Sequence, residues 1–245
     1  MIEGSWVTFL HRSSEYGSQE LPLDSLYGLP SSWRAMTSSL SSLNLVLVGD
    51  NFPTASLSAR DFTFRNRSFA EKLRVGPLFQ ASSRNVEIQA FPERFQVTVA
   101  SPDDLDILCE GIHEVVSTFL EFVGRRTVNA VGHNAQVMVD GRLYEAMVDA
   151  LVQKDVAAGL LGVDAPLRTN IGFKSKVGDE DQLSVSLVPD ATPGADGGVI
   201  DFNFNFDIDG SDSLDSAIGH LRESMDRAEQ IFGTIRERFS QEAAR

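Results

Sequence analysis

Hydrophobic and polar residues alternate along residues 199–208, which read Val-Ile-Asp-Phe-Asn-Phe-Asn-Phe-Asp-Ile. A period of two predicts a β-strand with one face packed against a core. After a turn at Gly210, apolar residues recur every three or four positions. This second spacing predicts a helix over 212–239, about seven turns long, with one narrow apolar seam. The seam contains Leu214, Ile218, Leu221, Met225, Ala228, Phe232, Ile235 and Phe239.

The same two periods predict the elements upstream of this segment. Strands are predicted at 5–10, 43–48, 57–66, 85–91, 94–100, 128–139, 167–177 and 182–188. Helices are predicted at 33–40, 103–123 and 142–161. The second of these helices is expected to have Ser101 as its N-cap and Pro102 at its first position, and to end at Gly124.

An order of strand, turn and capped helix occurs twice in the chain. At an offset of 109 residues, the identical pairs include Phe64 with Phe173, Phe95 with Phe204, Asp103 with Asp212, Leu105 with Leu214 and Asp106 with Asp215. We therefore predict a single domain over 1–245 that contains an internal duplication of 1–124 and 125–245. The predicted fold class is α+β, with a largely antiparallel, twisted sheet from two similar β-rich halves and long helices on one face.

Two stretches carry a resemblance to a known family: Val-Asn-Ala-Val-Gly-His-Asn at 128–134, and Asp-Phe-Asn-Phe-Asn at 201–205 before the long C-terminal helix. They resemble an uncharacterised family of sporadically distributed bacterial proteins of unknown function. The resemblance covers roughly the last 150 residues. It implies an α+β fold and a bacterial origin, and it carries no activity, cofactor or catalytic residue with it.

The C-terminal seam suggests an interaction surface. A helix that packs on its own domain usually has a broader apolar stripe, whereas a strict alternation of three and four is typical of helix-on-helix packing. The seam also continues beyond the length that one sheet would cover, so its last residues need a covering partner. Either the helix at 103–123 or another chain supplies that partner. The expected interaction residues are Leu221, Met225, Phe232, Ile235 and Phe239.

Charge narrows the range of partners. The 245-residue chain has a formal net charge of -14, and residues 101–245 hold 26 acidic and 12 basic side chains. Because nucleic acids and anionic membranes are bound mainly by cations, broad binding to either is disfavoured. One basic stretch interleaves cations with phenylalanines, as single-stranded nucleic-acid platforms do. Its cations, which extend towards Arg84, are Arg60, Arg65, Arg67, Lys72 and Arg74.

His133, Asn134 and Gln136 form the best candidate for a catalytic site. A histidine among amides can orient a substrate or move a proton. The alternative is that their strand lies at a sheet edge or faces a partner chain, so that these side chains are solvated. Signature motifs of common hydrolases, phosphate-loop proteins, dinucleotide enzymes and zinc proteases do not occur in the sequence.

No metal site or cofactor is expected. The four histidines lack metal-ligand spacing, and the acidic run from Asp207 to Asp215 places glycine at the fourth position, where an EF-hand loop needs it at the sixth. Cys109, the only cysteine, lies among apolar residues of a predicted helix and is expected to be buried and inert. No leader-like or membrane-spanning pattern is present in this sequence, which favours a cytoplasmic location.

The sequence therefore favours a non-enzymatic interaction or assembly subunit that self-associates or binds a protein partner, for example in a bacterial defence or toxin–antitoxin-like system. The alternatives are an enzyme of unknown class with a site near His133 and a nucleic-acid binder that uses Arg60 to Arg84.

Overall fold

The structure, a computed structural model, describes residues 40–100, 102, 104–152, 171–177, 181–190 and 196–243. The strand predicted at 5–10, nearly all of the helix predicted at 33–40 and the expected N-cap Ser101 lie outside these residues. The described residues belong to one compact unit within Ser32–Arg245.

Alternating burial defines the strands, because every second side chain of a strand points to the same face. The strands are β1 (Leu40–Gly49), β2 (Thr63–Phe64), β3 (Arg67–Ser68), β4 (Ala70–Val75), β5 (Leu78–Ser83), β6 (Val86–Phe91), β7 (Arg94–Ala100), β8 (Val128–Val139), β9 (Ile171–Val177), β10 (Asp181–Pro189) and β11 (Gly198–Asp207). Nine of these described strands form one antiparallel sheet in the order β4-β5-β6-β7-β1-β8-β11-β10-β9, while β2 and β3 form a separate hairpin.

Four α-helices accompany the sheet in the described part of the chain: α1 (Leu105–Val123), α2 (Gly141–Leu151), α3 (Ser211–Gly219) and α4 (Leu221–Ala243). Short 3₁₀ helices lie at Thr54–Ser56, Ala59–Asp61 and Arg125–Thr127. The fold is α+β, as the sequence predicts.

The helices α1 and α4 lie on the same face of the sheet. Phe119 of α1 stacks on Phe95 of β7, with ring centroids 3.8 Å apart, and Ser224 of α4 contacts His133 of β8. Phe95 pairs with Leu47 of β1, and His133 pairs with Leu45 of the same strand, so both contacts are made on one face. That face and the helices above it enclose the hydrophobic core.

The order of strands is similar in the two halves of the sheet. β1 and β8 are central neighbours, and each has on its other side the last strand of a meander, β4 to β7 or β9 to β11. A helix follows each meander. The similar order is compatible with an internal duplication, which stays a prediction.

Two predicted elements differ in the structure, and two strands were not predicted. The strand expected at 57–66 is a 3₁₀ turn followed by the two-residue strand β2, because Arg65 and Asn66 take positive φ angles of 52° and 60° and turn the chain back. Strands β4 and β5 were not predicted, since all six residues of β4 are exposed and show no alternation. The single C-terminal helix is two helices that meet at His220.

The start of α1 also differs from the prediction. Asp104 is its N-cap, and the Asp104 side chain accepts a hydrogen bond from the Ile107 backbone N–H. The predicted end is confirmed: Gly124 has a φ of 85° and its N–H donates to the Leu120 carbonyl. Cys109 is buried, as expected, and burial raises the pKa of its thiol to about 11, which keeps it protonated and unreactive.

Candidate functional site

The C-terminal seam is covered within the chain. Leu221 and Met225 are fully buried, Phe232 and Phe239 are also part of the core, and Ile235 is half-buried against it. Helix α4 packs on α2, β8 and α1. Of the two alternatives for covering the seam, another chain is not needed, because elements of the same chain supply the contacts; most of them come from α2 and not from the helix at 103–123 alone.

His133 lies in the core between the sheet and α4. It is 0% exposed, and its Nδ1 lies 2.9 Å from Ser224 Oγ. The ring of Phe206 is 4.8 Å away, centroid to centroid. The other ring nitrogen, Nε2, has no hydrogen-bond partner among the described residues. The ring is therefore sealed from solvent, and Ser224 is its well-defined polar contact.

Burial controls the protonation of His133. Its pKa is lowered to about 3, first by desolvation and then by the nearby His220 and His113, while the Ala217 carbonyl opposes the shift weakly. The ring is neutral at physiological pH. A general base must reach its substrate, and this imidazole reaches only the core.

Asn134 and Gln136 do not join His133 in a site. They point to the opposite face of β8, because neighbouring residues of a strand alternate in direction. Asn134 donates to Asn44 Oδ1 at 2.6 Å, and Ser42 donates to Gln136 Oε1 at 2.8 Å. The predicted catalytic cluster is therefore divided by the sheet. The solvated-edge alternative is also wrong, because β8 is a central strand and His133 is dry.

The face that carries Asn134 is polar across the central strands. Asn44, Asn134 and Asn203 lie in one row of paired positions on β1, β8 and β11. The next row contains Gln136 and Asp201. Burial raises the pKa of the Asp201 carboxyl group, while a hydrogen bond with Gln136 acts in the opposite direction. Asn134 bonds to Asn44, Gln136 bonds to Ser42 and Asp201, and Asn203 Oδ1 is buried without a hydrogen-bond partner among the described residues.

The basic stretch lacks the stacking surface that nucleic-acid binding requires. Phe62, Phe64 and Phe69 are buried in the core, and Phe64 packs against Gly111 of α1. The cations themselves are exposed, and Arg74 is bound to Glu71 through Nη2 at 2.7 Å. The aromatic half of the predicted platform is therefore wrong. The exposed cations are Arg60, Arg65, Arg67, Lys72 and Arg74.

A polar cluster links α1 to α4. The Arg222 Nε lies 3.4 Å from both Asp106 and Asp226 carboxylates. Glu229 is buried on the same helix, and burial raises the pKa of both Glu229 and Asp226. Across the described residues, no three His, Cys, Asp or Glu side chains are arranged to hold a metal ion. The cluster ties two helices together.

The two edges of the sheet differ in structure. At β4, a register shift between Glu71 and Leu73 bulges the strand, and Arg74 Nη2 donates to the Leu57 carbonyl at 2.7 Å. Bulges and covering side chains prevent an edge from pairing with another strand. At the other edge, β9 pairs with β10 in an unbroken register over Ile171–Val177. Its second side has no strand neighbour among the described residues.

The β9 edge also carries an exposed aromatic ring. Phe173 is 52% exposed, although it lies on the helix-bearing face in the row of Val185 and Phe202. Sequence reasoning did not single out this residue. The available signal was a strand with an exposed phenylalanine followed by Lys174, since lysines are frequent on edge strands.

Comparison with known proteins adds no identification. No family model matches this chain, and no curated protein matches it in sequence. One solved structure, described as "Structure of crystal form I of TP0453", has a TM-score of 0.20 and 11% identity, and the match covers 74% of this chain and 77% of that chain. A TM-score this low supports no argument about fold or function. No helix within the described residues has the length and apolar character needed to cross a bilayer.

Proposed function

We propose that this chain is a non-enzymatic assembly subunit that self-associates through its β-sheet. The observation that carries the proposal is the edge at β9, a regular strand with one side unpaired among the described residues. Such an edge presents a row of backbone N–H and C=O groups to a strand of another chain. The exposed ring of Phe173 adds apolar surface at the same place.

The proposal moves the interaction surface from the C-terminal helix to the sheet. Helix α4 has its apolar seam inside the chain, and β4 is bulged, with its Arg74 bonded to the Leu57 carbonyl of the preceding segment. Only the β9 edge, within the described part of the sheet, combines regular geometry with an exposed aromatic side chain. If only one edge of the described sheet pairs with another chain, two copies that pair through it leave no edge for a third copy. This difference between the two edges therefore supports a closed assembly and not a filament.

The enzymatic and nucleic-acid alternatives have less support. His133 is neutral and enclosed in the core, with Asn134 on the far side of the sheet. The phenylalanines of the basic stretch are in the core, and the Phe79 ring beside Arg74 is also buried, so none of these rings is open to a stacking base.

Sedimentation velocity of the purified full chain tests the proposal. We expect the average mass to rise from one copy towards two over about a hundredfold increase in concentration, as mass action requires. A mass that stays at 26.8 kDa, the mass of a single chain, over that whole range would refute self-association.

A further inference from the structure

We infer that helix α3 is a lid over His133 and that this lid opens away from the sheet when the imidazole takes up a proton. The inference goes beyond the proposed self-association and does not depend on it. The juxtaposition that carries it is a nine-residue helix with a glycine at each end, placed above a fully buried ring. His133 and every residue of α3 belong to the described part of the chain.

Helix α3 is the outer layer of the fold at this place. It packs on β8, and its Ala217 carbonyl acts on the His133 ring. Only Leu214 and Ala217 of its nine residues are buried. A segment with so few buried apolar residues is of the kind that opens locally while the rest of a domain remains folded. The exposed residues of α3 are Ser211, Asp212, Asp215, Ser216 and Gly219.

Both ends of α3 permit movement. Gly210 is its N-cap and makes no side-chain cap, and Gly219 is its last residue before the break at His220. A Cβ built on either glycine would meet no atom within 4 Å, so neither position is packed against the rest of the chain. Because glycine adopts more backbone conformations than other residues, these two positions can serve as hinges.

Polar contacts tie α3 to neighbouring elements. His113 of α1 donates from Nε2 to the Ile218 carbonyl at 2.8 Å, and Arg125 binds Asp215. The second pair is exposed on both sides, and exposed ion pairs contribute little to stability. The closed position therefore depends mainly on the two buried apolar residues of α3 and on the charge of the ring beneath them.

Protonation of His133 favours the open position. The titratable groups that act on the ring when α3 is closed are His113 of α1 and His220 at the junction of α3 and α4. Burial beside two further histidines disfavours the imidazolium ion, which water would stabilise if α3 moved away. Helices α3 and α4 and strand β11 present uncharged groups to the ring, namely the Ala217 carbonyl, the Ser224 hydroxyl and the Phe206 ring.

The size of this effect follows from the pKa of His133, which is about 3 when α3 is closed, against 6.5 for an ordinary histidine. The open form therefore binds more protons between these values, and acid shifts the equilibrium towards it. From this residue alone, the ratio of open to closed chains rises about 25-fold between pH 7 and pH 5. Opening exposes the rings of His133 and Phe206, so mild acid uncovers an apolar site on the sheet.

Hydrogen exchange of the full chain measures the opening of each helix, once the rates are corrected for intrinsic exchange at each pH. We expect the amides 214–219 of α3 to open more often than those of α1, because α3 moves without unfolding the core. Low concentrations of urea should leave this opening unchanged and increase the opening of α1, since only the second exposes a large surface. Between pH 7 and pH 5, the opening of α3 should increase about 25-fold.

Variants at His133 test which group controls the lid. His133→Leu and His133→Gln take up no proton in this range, so we expect the opening of α3 to be nearly the same at pH 7 and pH 5 in both. The matched control is His220→Gln, which removes an exposed histidine 3.8 Å from Glu223 and should keep most of the increase. Circular dichroism of each variant confirms that it is folded.

Each outcome decides one part of the inference. If α3 and α1 open equally often and respond equally to urea, α3 moves only when the whole chain unfolds, and the lid is overturned. If the opening of α3 increases as much in both His133 variants as in the wild type, control by His133 is overturned. A chain that stays monomeric in sedimentation would refute the proposed self-association and leave this test unaffected.

Discussion

The burial of His133 predicts a specific loss of stability in mild acid. Its pKa in the folded chain is about 3, against 6.5 for an ordinary histidine. The folded state therefore binds fewer protons than the unfolded state between these values, and stability falls as the pH decreases from about 6.5 towards 3. Each pKa unit corresponds to about 1.4 kcal/mol, so this residue alone removes about 5 kcal/mol below pH 3 and about 2 kcal/mol at pH 5.

Three carboxyl groups act in the opposite direction. Burial raises the pKa of Asp201, Asp226 and Glu229, so the folded state holds their protons more tightly and gains stability as the pH falls. A pH profile of the wild type alone mixes both effects. The difference between the wild type and a His133 variant isolates the histidine, because both proteins share the three carboxyl groups.

Urea unfolding of the wild type and His133→Leu at pH 7 and pH 5, followed by circular dichroism, measures this difference. We expect the wild type to lose about 2 kcal/mol more than the variant between the two values. His220→Gln, a change at an exposed histidine, is the control and should keep most of the wild-type dependence. If His133→Leu loses as much stability as the wild type, the imidazole is not buried and neutral in the fold, and the reasoning fails.

Further predictions concern the seam, the core and the charge. Met225→Ala should destabilise the fold by about 2–5 kcal/mol in urea unfolding and leave the association constant unchanged, because the seam is internal; a selective loss of association would restore the C-terminal interface. Gly111→Ala should lower the melting temperature, since its Cβ would lie 2.5 Å from the Phe64 ring, whereas Gly219→Ala, with open space around it, should change stability much less. Self-association should strengthen when salt is raised, because salt screens the repulsion between two copies of charge -14; weakening would indicate an interface held by ion pairs.

Local periodicity predicted the elements whose environment follows from their own residues. β8 extends over Val128–Val139 as predicted, and α1 ends at Gly124. β4 was not predicted, because all of its side chains are exposed and its sequence therefore shows no alternation of apolar and polar residues. The break of the C-terminal helix at His220 was not predictable from the apolar residues, because their spacing of three and four continues across it.

The position of His133 was predictable in part. Val131, Ala135 and Val137 alternate with the polar residues of β8 and share the face of His133, which indicates a core histidine. The covering of α4 was not predictable, because α2 lies about 80 residues earlier in the chain and only the fold brings the two helices together. The free side of β9 likewise depends on the order of strands, which local sequence does not contain.

Hydrogen exchange of the β9 backbone tests the central claim most directly. Among the described residues only β10 pairs with β9, so alternate amides of Ile171–Val177 point away from every described strand, and we expect them to exchange quickly. The account predicts that these amides become protected as the protein concentration rises through the association range, while the exposed amides of β4 do not change. Protection that appears in α4 or β4 instead, with β9 unaffected in the associated form, would contradict assembly through this edge.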